Sequence, residues 1–453
     1  MPTPFEGKVE EYNIKLESKS TRPKPKGPPI RRLELRRGTE STEIRFKPEQ
    51  LERYVGHPLD SKIKDLLDIA IAVYVQDRTI PRGPQWSRDL SLSVPVRNKA
   101  LWDKNLGCLV SCLSELTEDV YSISFSRIRG EISDAQFKAT NDRPVCLFSG
   151  GLDSYVGAAA HLESNPILVS HYSSSRVRSV QDRLAASLTT QKAKLDHYPV
   201  RVSLSGSKST REASQLSRSF LFLSIGAAVA ADTRSGNLIM SENGPIAINV
   251  RISESRTNTR TAHPKVLALF STLVSYVFGM DIRVSNPFGL QTKGEIARKL
   301  VGTSYEKNLR HSVSCWRYPR GLISLSRSLH RPLLGNHCGI CYPCIMRRVA
   351  MNAAGLHGAD DQYLVDIFSE YPKVDTQTTA TILDLLRFCD KVNDLGQLAL
   401  VREYPDMAVR VGAITPEGVI EMHKRFSSEV IQCFRERGSA QLGTDFSSLL
   451  RAP

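Results

Sequence analysis

From residue 144 onward, short apolar runs alternate with stretches of helical periodicity, and few folds accommodate that alternation. Pro144 to Phe148 has the character of a short buried strand and Ser154 to Leu162 that of a helix. Asn165-Pro166 breaks this helix before a second strand at Ile167 to Tyr172. Gln181 to Leu195 is then helical, Tyr198 to Leu204 extended and Glu212 to Ala231 a long apolar helix. Asn237 to Ser241 is a strand that ends on Glu242-Asn243-Gly244. Pro264 to Val277 and Lys293 to Val301 read as further helices. Parallel neighbours need a crossover, usually a helix. Repeated βα units therefore predict a parallel sheet with helices on both faces. Ligands in such sheets lie beyond the carboxyl ends of the strands.

The first strand–helix junction reads Ser149-Gly150-Gly151-Leu152-Asp153-Ser154. Gly150 and Gly151 carry no side chain, so the backbone can approach a phosphate closely. The helix that follows turns its unpaired N–H groups and positive dipole end toward the anion. Ser149 and Ser154 offer hydroxyl donors. Asp153 would repel phosphate alone, but it fits as a ligand to the Mg²⁺ that accompanies ATP. The plainer alternative is a Gly-Gly turn before an N-cap. No Gly-Lys-Ser/Thr closes the loop, so it is not a Walker loop.

Cys338-Gly339-Ile340-Cys341-Tyr342-Pro343-Cys344 spaces three thiols so that all can face one ion, and Cys315 upstream is the candidate fourth ligand. Four cysteines suit a tetrahedral structural Zn²⁺ site. An iron–sulfur cluster takes cysteines at this spacing too. His337 precedes Cys338 directly and is expected to point away. The total of nine cysteines is odd, which does not describe a disulfide framework.

The flanks differ in character. Residues 1–40 read as a basic flexible arm: Lys24, Lys26, Arg31, Arg32, Arg36 and Arg37 lie among Pro23, Pro25, Pro28 and Pro29. Residues 41–140 read as a small α+β accessory domain. Its strands are expected at Glu43–Phe46, Leu90–Val96 and Val120–Phe125, and its helices at Asp60–Val75 and Ala100–Leu116. Pro95 within the second strand argues for an edge position. Asp134 to Arg143 is a polar connector, and 358–453 is mostly helical, as at Thr379–Cys389 and Glu417–Arg435. No run reaches the roughly 18 apolar residues of a membrane helix, and the first residues do not form a secretory signal. A cytoplasmic chain is the expectation. The net charge of +14 favours anionic ligands: nucleotides, nucleic acid or an acidic partner.

The loop 149–154 resembles the PP-loop of the ATP-pyrophosphatases, which have an adenine nucleotide alpha hydrolase-like α/β fold. With the cysteines at the end of the same unit, residues 144–357 resemble the QueC-like branch, the 7-cyano-7-deazaguanine synthases. The resemblance implies that Ser149, Gly150, Gly151, Leu152, Asp153 and Ser154 bind ATP pyrophosphate and Mg²⁺. It further implies that Arg218, leading Arg218-Ser219-Phe220, lines the nucleotide site and that Lys293 in Thr292-Lys293-Gly294-Glu295-Ile296 meets the phosphates. Asp153, Lys293 and Arg218 become the catalytic set, and Cys315, Cys338, Cys341 and Cys344 the Zn²⁺ ligands. Glu242, Asn243 and Gly244, with the stretch Arg256 to His263, stand where the family holds its deazapurine, and they depart from its pattern.

The added flanks resemble those of the longer QueC-like proteins of bacterial antiphage systems, the QatC proteins. That resemblance implies adenylation of a carboxylate, that of 7-carboxy-7-deazaguanine or a related deazapurine, and its transfer to an amine of a partner protein from a defence operon. Three alternatives remain beside it. One is an ammonia-dependent nitrile synthase of queuosine biosynthesis. The second is a tRNA-modifying PP-loop enzyme, and the third a non-catalytic ATP-binding defence scaffold.

Overall fold

The computed structural model describes residues 11–17, 31–37, 40–46, 49–83, 86–128, 142–189, 195–205, 212–252, 259–371 and 374–450. Most of the expected basic arm, the connector over 134–141 and residues 256–258 lie outside the described residues. Within the arm's span, β1 (Glu11–Glu17) and β2 (Arg31–Arg37) are strands, joined by β3 (Glu40–Phe46). The N-terminal part continues with α1 (Glu49–Val55), α2 (Ser61–Thr79), β4 (Asp89–Val96), α3 (Lys99–Thr117) and β5 (Val120–Arg127).

The alternating unit follows as β6 (Val145–Leu147), α4 (Leu152–Ala160), β7 (Ile167–Tyr172), α5 (Ser175–Leu188), β8 (Asp196–Ser205), α6 (Arg218–Thr233) and β9 (Asn237–Ile239). It ends with α7 (Gly244–Ile248), α8 (Pro264–Phe278), β10 (Arg283–Ser285) and α9 (Lys293–Arg298). The sheet order is β10-β9-β6-β7-β8-β3-β2-β1-β4-β5. The first five strands are mutually parallel, as the βα alternation requires. β8 pairs antiparallel with β3, so the strands of the N-terminal part extend the same sheet.

Alternation along β6 and β7 sends residues to both faces. Val145, Leu147, Ile167 and Val169 join the apolar cluster containing α6 and α8, whereas Cys146, Phe148 and Leu168 join the one containing α4 and α5. The first cluster also takes in Leu51 of α1, Ile63 to Val75 of α2 and Trp102 of α3. The segment the sequence sets apart at 41–140 thus shares a core with the parallel α/β unit. β4 is not an edge strand, because it lies between β1 and β5. β1 pairs with it only at Ser91–Ser93, so that side demands no ladder bond from Pro95.

Beyond α9 come α10 (Arg320–Ser328) and α11 (Tyr342–Ala353), then α12 (Thr376–Asp394), α13 (Gln397–Glu403), α14 (Pro416–Arg437) and α15 (Ala440–Asp445). The last four form the helical C-terminal region. Ile382, Leu385, Phe426 and Val430 pack in one cluster with Ile345 and Val349 of α11 and Ile248 of α7. Among the described residues, no helix is long and apolar enough to cross a membrane.

Candidate active site and metal centre

Strand order in the parallel unit reverses between β6 and β9: the chain steps outward from β6 to β7 and β8, then returns to β9 on β6's other side. A crevice opens at such a switch point, beyond the carboxyl ends of the two strands. β6 leads into the loop with Asp153, and β9 into Glu242 and Asn243.

These side chains meet. Asn243 Nδ2 donates to Asp153 Oδ2 and to Glu242 Oε1, each at 2.7 Å. Lys293 Nζ, at the start of α9, lies 2.7 Å from both oxygens of Asp153. Burial alone would raise the Asp153 pKa, but Lys293 and the hydrogen bonds bring it down to about 2. Glu242 moves the other way, well above the usual carboxylate range, through burial and the charge of Asp153. Of the two carboxylates, Asp153 is therefore the more readily ionised and Glu242 the more readily protonated.

The loop itself is braced. Gly150 has φ +84°, a left-handed conformation that costs glycine nothing. Ser149 Oγ accepts from Gly151 N at 3.3 Å and lies 3.1 Å from Ser154 Oγ, which donates to Gly151 O at 3.0 Å. Gln181 Nε2 on α5 donates to Ser149 O and to His171 O, tying the loop to β7. Val313 N donates to Gly150 O from the side of the cysteine segment. Gly151 is the N-cap of α4 and makes no side-chain cap, so the first N–H groups of that helix receive none from it.

Arg218 is not brought to this cluster. It begins α6 with its side chain exposed, and its charge acts on the buried His171 near the end of β7. Gly244 opens α7, and a Cβ there would lie 2.7 Å from Gly289 O and 3.0 Å from Met422 Cε. Asn243 caps α7, its Oδ1 accepting from Ile246 N.

Sequence reasoning missed Glu429 of α14. Thr292 Oγ1 donates to its Oε1 at 2.6 Å, while Thr292 and Glu295 complete a capping box at the start of α9. Glu429 thereby holds the turn that presents Lys293. An acidic residue on a helical stretch far along the chain carries no sequence signal for this.

Cys315, Cys338, Cys341 and Cys344 are buried, with all four Sγ atoms within 4.8 Å of one another. Three separations are 3.3, 3.8 and 3.9 Å. Zn–S bonds of about 2.3 Å imply tetrahedral edges of roughly 3.8 Å, so the group could hold one such ion. Cys341 N donates to Cys338 Sγ at 3.3 Å. Gly339 has φ +84°, and a Cβ there would stand 1.9 Å from Val365 O, so no other residue fits. His337 points away as expected: its Nε2 accepts from Ser314 N at 3.1 Å and its Nδ1 lies 2.8 Å from Asp361 Oδ2. No protein-family model matches this chain, and no curated protein is significantly similar to it.

Proposed function

We propose that this chain is a QueC-like, ATP-dependent enzyme that adenylates a carboxylate, releases pyrophosphate and passes the acyl group to an amine. The observation that carries the reading is the convergence of Asp153, Lys293, Glu242 and Asn243 at the switch point, directly beside the loop Ser149–Ser154. The glycine backbone and the start of α4 receive the phosphates. Lys293 neutralises phosphate charge when ATP draws it from Asp153. Asp153, ionised at every physiological pH, would hold Mg²⁺, which supplies charge neutralisation on the phosphates. Glu242 in its protonated form donates a hydrogen bond to the incoming carboxylate or to its ring, and Asn243 sets its direction. Rate enhancement rests on positioning and on stabilising developing negative charge.

The substrate is 7-carboxy-7-deazaguanine or a related deazapurine acid, and the amine belongs to a partner protein in antiphage defence. The four cysteines carry zinc. Their single-ion spacing supports zinc over a cluster, whose ligands sit on separate irons. The test follows pyrophosphate from full-length protein with ATP, Mg²⁺ and the deazapurine acid, with ammonia or co-expressed partner proteins as acceptor. Turnover is expected and should fall at least about 100-fold in Asp153→Ala. Absence of pyrophosphate with every acceptor would refute the reading.

A further inference from the structure

A second feature lies beside the loop and plays no part in the proposed adenylation. A cleft of about 540 Å³ opens between α5 and the segment that carries the cysteines. Arg176 and Arg183 line it from one face of α5, seven residues apart, so that about 10 Å of helix separates them. Arg310 and His311 face them across the cleft. Among the described residues, none of the three arginine side chains has an ion-pair or hydrogen-bond partner. All three are exposed. The one carboxylate in the lining, Asp361, is already bonded to His337 Nδ1 and to Asn336 N, both at 2.8 Å.

The basic character extends past the cleft. Between Glu306 and Asp360 the sequence has no carboxylate, while it has one Lys and seven Arg. Arg331, Arg347 and Arg348 are paired with Glu370, Asp360 and Asp366. Lys307, Arg310, Arg320 and Arg327 stand exposed without an acidic partner among the described residues. Trp316 is 67 % exposed on the same stretch, two residues before Tyr318 in the cleft wall. That spacing is no more than about 7 Å of chain.

We infer that this cleft binds single-stranded nucleic acid, with phosphates on Arg176, Arg183 and Arg310 and a base stacked on Trp316. Unpartnered charge spread over more than one phosphate spacing exceeds what a small anion needs. The guanidinium fork matches phosphate oxygens in pairs, and the basic set is almost all arginine. A concave groove beside an exposed aromatic ring suits one strand, whose bases are free to stack; a duplex hides them. Val180 lines the cleft and sits 3.4 Å from where a Cβ on Gly150 would be, so the strand would run up to the phosphate loop. The inference does not rest on the adenylation reading, because binding is measured without ATP.

The experiment is fluorescence anisotropy of full-length protein with labelled 15-nucleotide single-stranded RNA, single-stranded DNA and the matching duplex, over a series of KCl concentrations. Single strands of either sugar should bind more tightly than duplex, and the better of the two identifies the source. The triple change Arg176→Ala, Arg183→Ala, Arg310→Ala should weaken binding tenfold or more and flatten the log K against log salt slope by about 2, at ~0.7 per phosphate contact. The matching triple change to Lys should keep the slope, which separates lost charge from lost folding. Trp316→Ala should weaken binding on the order of tenfold with the slope unchanged. Three results would overturn the inference: no single-strand binding at 50 mM salt, an unchanged slope in the alanine triple, or a poly-glutamate peptide of equal charge that binds as tightly. The last would assign the cleft to an acidic protein segment.

Discussion

Glu429 sits on α14 with its carboxylate turned into the start of α9, and burial lifts its pKa from the ordinary 4.5 to about 7. The hydrogen bond from Thr292 opposes that rise without cancelling it. Between pH 4.5 and 7 the folded chain therefore keeps a proton that the unfolded chain has released. The stability contributed by this group is complete below about pH 4.5 and is lost as pH climbs through about 7. The loss across the window is about 3 kcal/mol, at ~1.4 kcal/mol per pH unit. Glu429→Gln preserves shape and the oxygen that accepts from Thr292 but has no charge to desolvate. At pH 8 the variant should be more stable by up to about 3 kcal/mol, and near pH 4.5 the two proteins should coincide. Urea denaturation at pH 4.5, 6, 7 and 8, followed by far-UV circular dichroism, reads the difference directly. A variant less stable at pH 8, or a difference that does not shrink on acidification, would show that Glu429 is held ionised and that the burial argument is wrong.

Three further outcomes follow from particular contacts. Purified protein should contain one zinc per chain by elemental analysis, and Cys341→Ser should lose it and lower Tm by about 5 °C or more, since structural zinc contributes folding energy. Gly294→Ala places a Cβ 2.5 Å from Glu429 Oε1 and 2.8 Å from Ala353 Cβ, so it should cost about 1–3 kcal/mol in urea denaturation and lower ATP turnover through Lys293. Arg88 Nη2 bridges Asp77 at 2.6 Å and Asp119 at 2.7 Å, with both carboxylates fully buried. Arg88→Ala should cost about 1–3 kcal/mol by the same measurement, because both buried carboxylates lose a shared guanidinium and keep Arg82 as their remaining cation, 2.8 Å from Asp119 and 3.7 Å from Asp77.

The parallel unit was legible because its signals are local. Apolar runs such as Ile167 to Tyr172 are buried along their whole length, and the loop 149–154 falls at the strand–helix junction that its composition demands. The cysteines were legible for the same reason: short spacing nearly dictates proximity. Three things were not. Pro95 pointed to an edge strand, but neighbours from distant sequence decide what is an edge. Where the Arg218 side chain goes has no local signal: it leads α6 exposed, with its charge acting on His171. The convergence of Asn243 on Asp153 depends on β9 returning next to β6, which no local pattern encodes.

The C-terminal region shows where local reading runs out most fully. It lies beyond the parallel α/β unit, and α14 braces both loops of the candidate site. Met422 fills the space over Gly244, Arg425 Nε pairs with Glu295 at 2.7 Å while its Nη2 donates to Leu290 O at 2.9 Å, and Glu429 holds Thr292. Val419, Phe426 and Val430 on the same helix anchor it in the C-terminal core. A long helix packed in this way is stiffer than the loops it touches, and catalytic groups need support of that kind to stay in register. Glu242-Asn243 and Lys293 leave the sheet on two short helices that could not fix their own angles, since helices of five and six residues are marginal alone. The apparent appendage is therefore part of the site's frame, and the geometry around Asp153 belongs to the whole chain from β6 to α14.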